Sequence, residues 1–133
     1  VSPFKLQYYL VYINSCMAIT LKTQGQNLTM YQGASFEKTF TAKNESGTNV
    51  SIDTGTCAAQ MKKNHSTTNT SFILTFTTSL SGSNVTITAD ASLTAGMTEG
   101  LHVYEVEYTQ SDGVTKEKLV NGMITVLPEV ITS

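Results

Sequence analysis

Residues 101–127, LHVYEVEYTQSDGVTKEKLVNGMITVL, decide the fold of this chain. Two runs of alternating apolar and polar residues flank the turn sequence SDG at 111–113, a pattern that predicts a β-hairpin. Gly122 inside the second run indicates a bulge or a close backbone contact, because glycine has no side chain to pack within a strand. Pro128 has no N–H to donate to a ladder, so we expect the second strand to end before it.

The two faces of this hairpin differ in chemistry. Three side chains, Tyr104, Val106 and Tyr108, share a face that we expect to be buried. Glu105 and Glu107 lie on the opposite face of the same strand, while Lys116 and Lys118 share a face of the partner strand. In registers that pair these charged faces, glutamates meet lysines across the strands, and each pair contributes about 0.2–1 kcal/mol.

Upstream of the hairpin, short alternating segments recur with turn sequences between them. We predict strands at 27–31, 35–43, 50–52, 56–63, 72–80 and 85–89. Phe72, Leu74 and Phe76 are expected to point inward, and one helical turn before the hairpin is expected to bury Leu93 and Met97. Short strands at this spacing predict one all-β domain, a β-sandwich of about seven strands.

Composition limits the classes of partner. The chain has 133 residues, enough for one domain with a single core. Charged residues make up 14% of it and the net charge is −2, so no basic patch of the kind that binds phosphates is predicted and nucleic acid is not an expected partner. No stretch approaches the ~18 apolar residues of a membrane span, so no membrane partner is expected either.

Residues 1–16, VSPFKLQYYLVYINSC, differ from the threonine-rich domain at 17–133 that follows them. Alternation places apolar side chains on both faces of this segment, and such a strand is stable only when both faces are covered. We therefore hypothesise an extended N-terminal arm that docks on a neighbouring subunit, adding a strand to an open sheet edge. Its predicted contact residues are Phe4, Leu6, Tyr8, Tyr9, Leu10 and Tyr12.

Three other interpretations of the arm stay open. It folds back on its own domain, or it is an upstream extension of a chain whose usual start is Met17. It is alternatively a stunted signal peptide, although its tyrosines and Gln7 make a poor apolar region for one.

The sequence contains no pattern typical of a catalytic or metal site. Cys16 and Cys57 support neither a disulfide framework nor a zinc site, and both histidines, His65 and His102, are expected at the surface. The aspartates lie in turns and the glycines form no phosphate-binding loop. We therefore predict no enzyme activity, no cofactor and no metal. The polar loop at 64–70, NHSTTNT, is a second candidate contact region, represented by His65.

The order of elements over residues 32–132 resembles a known family. The segments that carry the resemblance are YQGASFEKTFTAKNESGTNVSID at 31–53, AAQMKKN at 58–64, NVTITADASLTAGMTEGLHVYEVEYT at 84–109 and SDGVTKEKLVNGMITVLPEVI at 111–131. These are similar to immunoglobulin-like modules of tailed-bacteriophage virion proteins, such as the N-terminal domain of phage baseplate upper proteins and stand-alone minor structural proteins. The resemblance implies an immunoglobulin-like antiparallel β-sandwich located in the virion and assembled through surface contacts.

On this resemblance we expect a non-enzymatic virion structural protein, either a decoration or cement protein or a tail or baseplate adaptor. Its expected partners are capsid or tail subunits and copies of itself within a symmetric assembly. Two alternatives come from other classes. One is a secreted or cell-surface adhesion module that binds glycan or protein through its loops, consistent with six N-x-S/T sequons. The other is a small hydrolase that uses Cys57 or a histidine.

Overall fold

Eight strands and one short helix form the described residues, 21–69 and 72–130, of this computed structural model. The elements are β1 (Gln24–Gly25), β2 (Leu28–Tyr31), β3 (Phe36–Thr41), β4 (Thr56–Lys62), β5 (Ile73–Ser81), β6 (Asn84–Ala89), α1 (Ala91–Ala95), β7 (Gly100–Thr109) and β8 (Lys116–Leu127). The prediction of an all-β domain is confirmed.

The strands form one curled sheet in the order β1-β8-β7-β4-β5-β6-β3, with β2 also pairing with β8. The curl arises in β5, whose residues 73–76 pair with β4 while residues 77–81 pair with β6. This strand therefore carries the chain from one half of the sheet to the other. As a result β3 faces β7 across the core, where the rings of Phe40 and Tyr104 stack with centroids 6.4 Å apart.

The sheet is mixed, so the expectation of a wholly antiparallel arrangement is wrong at one edge. Both β1 and β2 run parallel to β8, with Gln24 opposite Val120 and Leu28 opposite Ile124. Two parallel strands are not joined by a short turn that could be recognised in the sequence, because the chain between them is long and includes other strands. The alternation within residues 27–31 therefore predicted a strand but not its direction.

Alternation predicted most of the core. The inward side chains of β7, Tyr104, Val106 and Tyr108, are buried as expected. Two expectations are wrong: Phe72 precedes β5 and is 38% exposed, and Leu93 on α1 is 47% exposed. Thr94 takes the inner position of the helix instead, where its hydroxyl donates to the carbonyl oxygens of Ala34 and Ala91.

The segment at 50–52 was predicted as a strand and does not form one. Ile52 is nevertheless fully buried, and its N–H donates to the carbonyl of Gly82. The apolar alternation there indicated burial correctly, but three residues after the turn at 44–47 leave no room for a ladder. A single bridge between Lys43 and Asn49 is the extended pairing that remains.

Gly122 makes the close backbone contact that its place in the strand predicted. A Cβ atom at this position would overlap the carbonyl oxygen of Gln26, in the connection between β1 and β2. The same oxygen accepts a hydrogen bond of 2.6 Å from the hydroxyl of Tyr104, which lies opposite Gly122 in the ladder. The side-chain oxygen of Asn27 then accepts from the N–H of Met123 at 3.1 Å, bridging the break between β1 and β2.

The chain enters the described part of the structure beside the β7–β8 turn. The N–H of Leu21 donates to the buried carboxylate of Glu117 at 2.8 Å, and the side chain of Gln110 donates to the other carboxylate oxygen at 2.9 Å. Leu21 itself is buried. This anchor fixes the position of Leu21, the first described residue.

Candidate interaction surface

The outer face of the sheet, turned away from the core, becomes apolar where β7 begins and β8 ends. Outward positions there carry exposed apolar side chains in place of the polar ones that an outer face normally has. We call this patch the apolar corner, and it consists of Tyr31, Leu101, Met123 and Leu127. Tyr31 and Leu101 are each 57% exposed. Contiguous exposed apolar side chains of this kind mark interaction surfaces.

The strand register brings these four residues together. Tyr31 of β2 lies opposite Leu127 of β8. Leu101 of β7 lies opposite Thr125, which is two residues before Leu127 on the same face of β8. Met123 lies opposite the half-buried Val103, which continues the apolar surface onto β7. The corner is thus assembled from the β7–β8 hairpin and from β2, which is distant from it in sequence.

A shallow groove of about 630 Å³ crosses the same face beside the apolar corner. The small side chain of Ala58, at an outward position of β4, contributes to the depression. Its polar and apolar lining includes Gln60, Lys62, His65, Glu105, Asn121 and Met123. Amide and carboxylate groups of this kind offer hydrogen bonds to a partner that lies across the strands.

His65 reaches this groove through a tight turn after β4. The side-chain oxygen of Asn64 accepts hydrogen bonds from the N–H and the hydroxyl of Ser66, at 3.1 and 2.8 Å, and from the hydroxyl of Thr67 at 3.2 Å. An Asx turn of this type fixes the loop without any apolar anchor. The exposed His65 of the predicted contact loop therefore borders the groove.

The end of the outer face near the β7–β8 turn is charged. The ammonium group of Lys118 lies 2.6 Å from the carboxylate of Glu105 and 2.8 Å from that of Glu107, and Lys116 lies 3.8 Å from Glu107. The hydrogen bond from Lys118 lowers the pKa of Glu107, and the bond to Glu105, followed by that to Glu107, raises the pKa of Lys118. The predicted pairing of glutamates with lysines is confirmed, and both carboxylates are occupied by it.

Cys57 does not have the environment of a nucleophile. Its side chain is half-buried, and this burial raises the pKa of the thiol to about 11. The reactive form of cysteine is the thiolate, which is scarce at neutral pH when the pKa is that high. The structure places this thiol against the core rather than in the groove.

His102 is fully buried, so its predicted surface position is wrong. Its Nδ1 lies 3.2 Å from the carbonyl oxygen of Gly100 and its Nε2 lies 3.3 Å from the hydroxyl of Thr98. Burial lowers the pKa of the imidazole, and the positive charge of Lys63 lowers it further, against the opposing hydrogen bond to Gly100. The alternation of β7 indicated this burial, because His102 lies two residues before the inward-facing Tyr104 and therefore on the same face of the strand.

Residues 21–69 and 72–130 contain neither a metal-binding cluster nor a membrane-spanning helix. No group of three or more His, Cys, Asp or Glu side chains in this part of the chain is placed to hold a metal ion. None of the helices described is long and apolar enough to cross a membrane.

The predicted contact residues of the arm lie outside the described residues. These are Phe4, Leu6, Tyr8, Tyr9, Leu10 and Tyr12. Of the predicted contact residues, the structure therefore locates His65, which it brings to the rim of the groove.

Sequence reasoning missed the apolar corner, although part of its signal was present. Glu105 and Glu107 set the outward phase of β7, and Leu101 and Val103 continue that phase with apolar side chains. A hairpin that is apolar on both faces at one end indicates a covered or contacting surface. The contribution of Tyr31 was not predictable in this way, because it depends on the parallel pairing of β2 with β8.

No protein-family model matches the chain, and a search of curated proteins found no significantly similar sequence.

Proposed function

We propose that this chain is a non-enzymatic structural protein of a virion, built as an immunoglobulin-like β-sandwich and assembled through its outer sheet face. The strand order supports this interpretation of the fold. In a constant-type immunoglobulin domain, strands B-E-D form one sheet segment and C-F-G another. Here β3-β6-β5 and β4-β7-β8 follow those two orders when β1 and β2 are counted as one interrupted first strand.

The first strand departs from the constant-type pattern. It pairs with β8, the last strand, rather than with β3. Seven strands result from this counting, and the curl of β5 supplies the passage between the two sheet segments.

The apolar corner is the observation that carries the functional proposal. Tyr31 and Leu101 are each 57% exposed, so covering either side chain would contribute about 1–2 kcal/mol. A partner surface that covers the corner recovers this free energy. The catalytic candidates lack a matching arrangement, since Cys57 is a high-pKa thiol and His102 is enclosed by its own loop.

The proposed setting is a decoration or cement position on a capsid, or an adaptor position in a tail or baseplate. The partners are then capsid or tail subunits and copies of this chain. Repeated copies in a symmetric particle allow weak contacts to add together, so a corner of four side chains is sufficient for stable incorporation.

The test is to purify virus particles from a culture that expresses this chain and to measure its copy number by quantitative mass spectrometry. We expect several copies per particle, at a ratio to the major subunit set by the symmetry of the particle. A variant with Leu101→Glu should fold normally and be depleted from the particles, whereas Val114→Glu, at the exposed β7–β8 turn, should be incorporated as in the parent. Absence of the parent chain from the particles contradicts the proposal.

A second candidate function is an adhesion module that binds glycan or protein. The groove favours it, because Gln60, Asn121 and the nearby His65 offer donors and acceptors suited to sugar hydroxyls. A glycan array with the parent chain and with Asn121→Ala distinguishes the two: adhesion requires a hit that the substitution abolishes, whereas a purely structural protein gives none.

A further inference from the structure

Lys62 differs from the other lysines of the outer sheet face. Lys116 and Lys118 lie within 3.8 Å of glutamate carboxylates, whereas Lys62 forms no ion pair with a described residue. Segments 1–20, 70–71 and 131–133 contain no Asp or Glu that would supply a side-chain carboxylate. The ammonium group of Lys62 is therefore left without such a partner, and its side chain lines the groove.

The register of β4 explains why Lys62 stays unpaired. Its neighbours across the strands are apolar, Val103 on β7 and Ile73 on β5. The next outward residue of β7 is Glu105, whose carboxylate already lies 2.6 Å from Lys118. The hydrocarbon stem of the half-buried Lys62 thus lies between apolar side chains, which leaves its charged end in the water of the groove.

This face carries one positive charge more than it neutralises, although the net charge of the whole chain is −2. Its charged side chains at the groove and beside it are Lys62, Lys116, Lys118, Glu105 and Glu107. A ligand with a single negative group complements that surplus. A chain of phosphates does not, because the two glutamates line the same groove and repel additional negative charge.

Side-chain amides lie beside this charge. Asn121, Glu105 and Gln60 lie opposite one another across β8, β7 and β4 and form one row of the outer face. Gln60 donates through Nε2 to the hydroxyl of Thr75 at 3.0 Å, and its Oε1 accepts no hydrogen bond from a described residue. The side-chain amide of the exposed Asn121 makes none within the described chain. This row therefore offers hydrogen bonds to a ligand.

The adjacent row of the groove is apolar up to Lys62. Met123, Val103 and Lys62 lie opposite one another on the same three strands. An apolar strip thus lies beside a strip of amides, with a positive charge where it reaches β4. The groove volume of about 630 Å³ is within the range of about 300–1,000 Å³ that is typical of small-ligand sites.

We propose that this groove binds a saccharide that carries a carboxylate, of the uronic or sialic acid class, with the carboxylate on Lys62. A sugar ring has hydroxyl groups at its edge and C–H groups on its face. The hydroxyls then reach the amides of Gln60 and Asn121, while the C–H face covers Val103. His65, at the rim, contacts the next sugar unit. The inference goes beyond the structural role proposed above and gives the adhesion function a ligand class.

An acidic peptide fits this surface less well. The groove crosses the interior of the sheet, where Gln60 pairs with Glu105 and Glu105 pairs with Asn121, so the backbone groups of these strands are used in the ladder. Recognition of an extended peptide by strand addition needs an open sheet edge instead. Sugar hydroxyls each donate and accept, and they therefore match separate side-chain amides.

The test is an NMR titration of the isotope-labelled complete chain, residues 1–133, with two acidic probes, sialyllactose and an oligomer of galacturonic acid. The matched controls are the same saccharides with each carboxylate reduced to a hydroxymethyl group. We expect at least one acidic probe to shift the side-chain amide signals of Gln60 and Asn121. Its reduced counterpart should bind about tenfold more weakly, because it lacks the charge-assisted hydrogen bond to Lys62.

Three variants assign this effect to one side chain. Lys62→Gln should weaken binding of the acidic probe about tenfold and leave binding of the reduced probe unchanged. Lys62→Arg keeps the charge and should retain most of the affinity. Lys43→Gln makes the same change at an exposed lysine that does not line the groove, and it should bind as the parent does. Circular dichroism confirms that each variant is folded.

Four results would overturn the inference. These are an absence of binding by both acidic probes, equal binding of acidic and reduced probes, equal effects of Lys62→Gln and Lys43→Gln, and binding of a glutamate oligopeptide as tight as that of the acidic saccharides. The last result would show that the groove recognises carboxylates alone. Particle incorporation is measured separately on the parent chain, so either proposal can fail while the other stands.

Discussion

The two ends of the β7–β8 hairpin are held by different kinds of contact. At the turn end, Asp112 accepts hydrogen bonds from the N–H groups of Val114 and Thr115, each at 2.8 Å, and lysines pair with glutamates across the strands. At the open end, Tyr104 donates to the carbonyl of Gln26, a residue 78 positions away in the chain. Apart from the bond between Leu21 and Glu117, the turn end is determined locally, whereas the open end depends on the whole fold.

This difference indicates at which end of the hairpin the chain tolerates substitutions. Apart from the bonds to the buried carboxylate of Glu117, contacts at the turn end are exposed and are shared among several groups, so that losing one leaves the rest in place. Contacts at the open end are buried and specific to single atoms, and the apolar corner lies on the outer side of this same end. Substitutions at the two ends should therefore change the free energy of unfolding by different amounts.

The largest effect is expected from Gly122→Ala. The new Cβ would overlap the carbonyl oxygen of Gln26, which is backbone and cannot move without disturbing both β1 and β2. We expect the free energy of unfolding to fall by about 3 kcal/mol, as for other severe backbone clashes. Urea denaturation measures it. The control is Gly25→Ala, where a Cβ meets nothing within 4 Å and the expected change is within about 0.5 kcal/mol. Equal effects at the two glycines would contradict the argument.

Tyr104→Phe removes the donor to Gln26 and retains the ring. The carbonyl oxygen then loses its hydrogen bond of 2.6 Å from a buried hydroxyl, and we expect a loss of about 1–2 kcal/mol in the free energy of unfolding. Denaturant titration of this variant and of Tyr31→Phe, whose side chain is exposed, separates the buried bond from a general effect of losing a hydroxyl. A stability unchanged by Tyr104→Phe would show that the open end does not depend on this bond.

Acidification should weaken the open end through His102. Burial, aided by the charge of Lys63, lowers the pKa of the folded imidazole below its ordinary value of 6.5, so the unfolded chain takes up a proton first. The corresponding stability is present above pH ~6.5 and is lost as the pH falls from there toward the folded pKa. The free energy of unfolding should therefore be lower at about pH 5.5 than at about pH 7.5. In the His102→Gln variant the difference between the two pH values should be smaller. A decrease that His102→Gln leaves unchanged would contradict this account.

The smallest effect is expected from Lys118→Met at the turn end. Its ion pairs with Glu105 and Glu107 are partly exposed and screened by solvent, so we expect a loss of no more than about 1 kcal/mol. The pKa of Glu107 should rise toward its usual value, which an NMR titration measures. Lys116→Met, which removes a contact of 3.8 Å, should raise it less. A loss as large as that of Gly122→Ala would abolish the distinction between the two ends.

Several features of the structure were predictable because their signals are local. The turn at 111–113, the alternation of β7 and the pairing of Glu107 with lysines all depend on residues close together in sequence. Gly122 was predictable as a close contact because glycine within a strand indicates limited space. The burial of His102 was predictable in principle, since its side chain lies on the same inward face of β7 as Tyr104. We predicted a surface position because histidine side chains are often exposed.

The remaining features depend on which strands become neighbours. The exposure of Phe72 and Leu93 is decided by where β5 and α1 begin, which a pattern of apolar residues leaves uncertain by a few positions. The apolar corner requires the parallel pairing of β2 with β8, for which no turn in the sequence gives a signal. The inward position of Lys38 in β3 likewise follows from the register of β3 with β6.

Local patterns in the sequence are enough to predict that this protein is all-β, where its principal hairpin turns and which face of that hairpin is buried. These properties follow from the period of two in a strand and from the backbone conformations that Asp and Gly permit. The pairing of β1 and β2 with β8 and the curl of the sheet at β5 instead depend on which distant segments come together. Those outcomes arise from contacts between residues such as Gln26 and Tyr104, whose separation of 78 positions makes them invisible to local pattern.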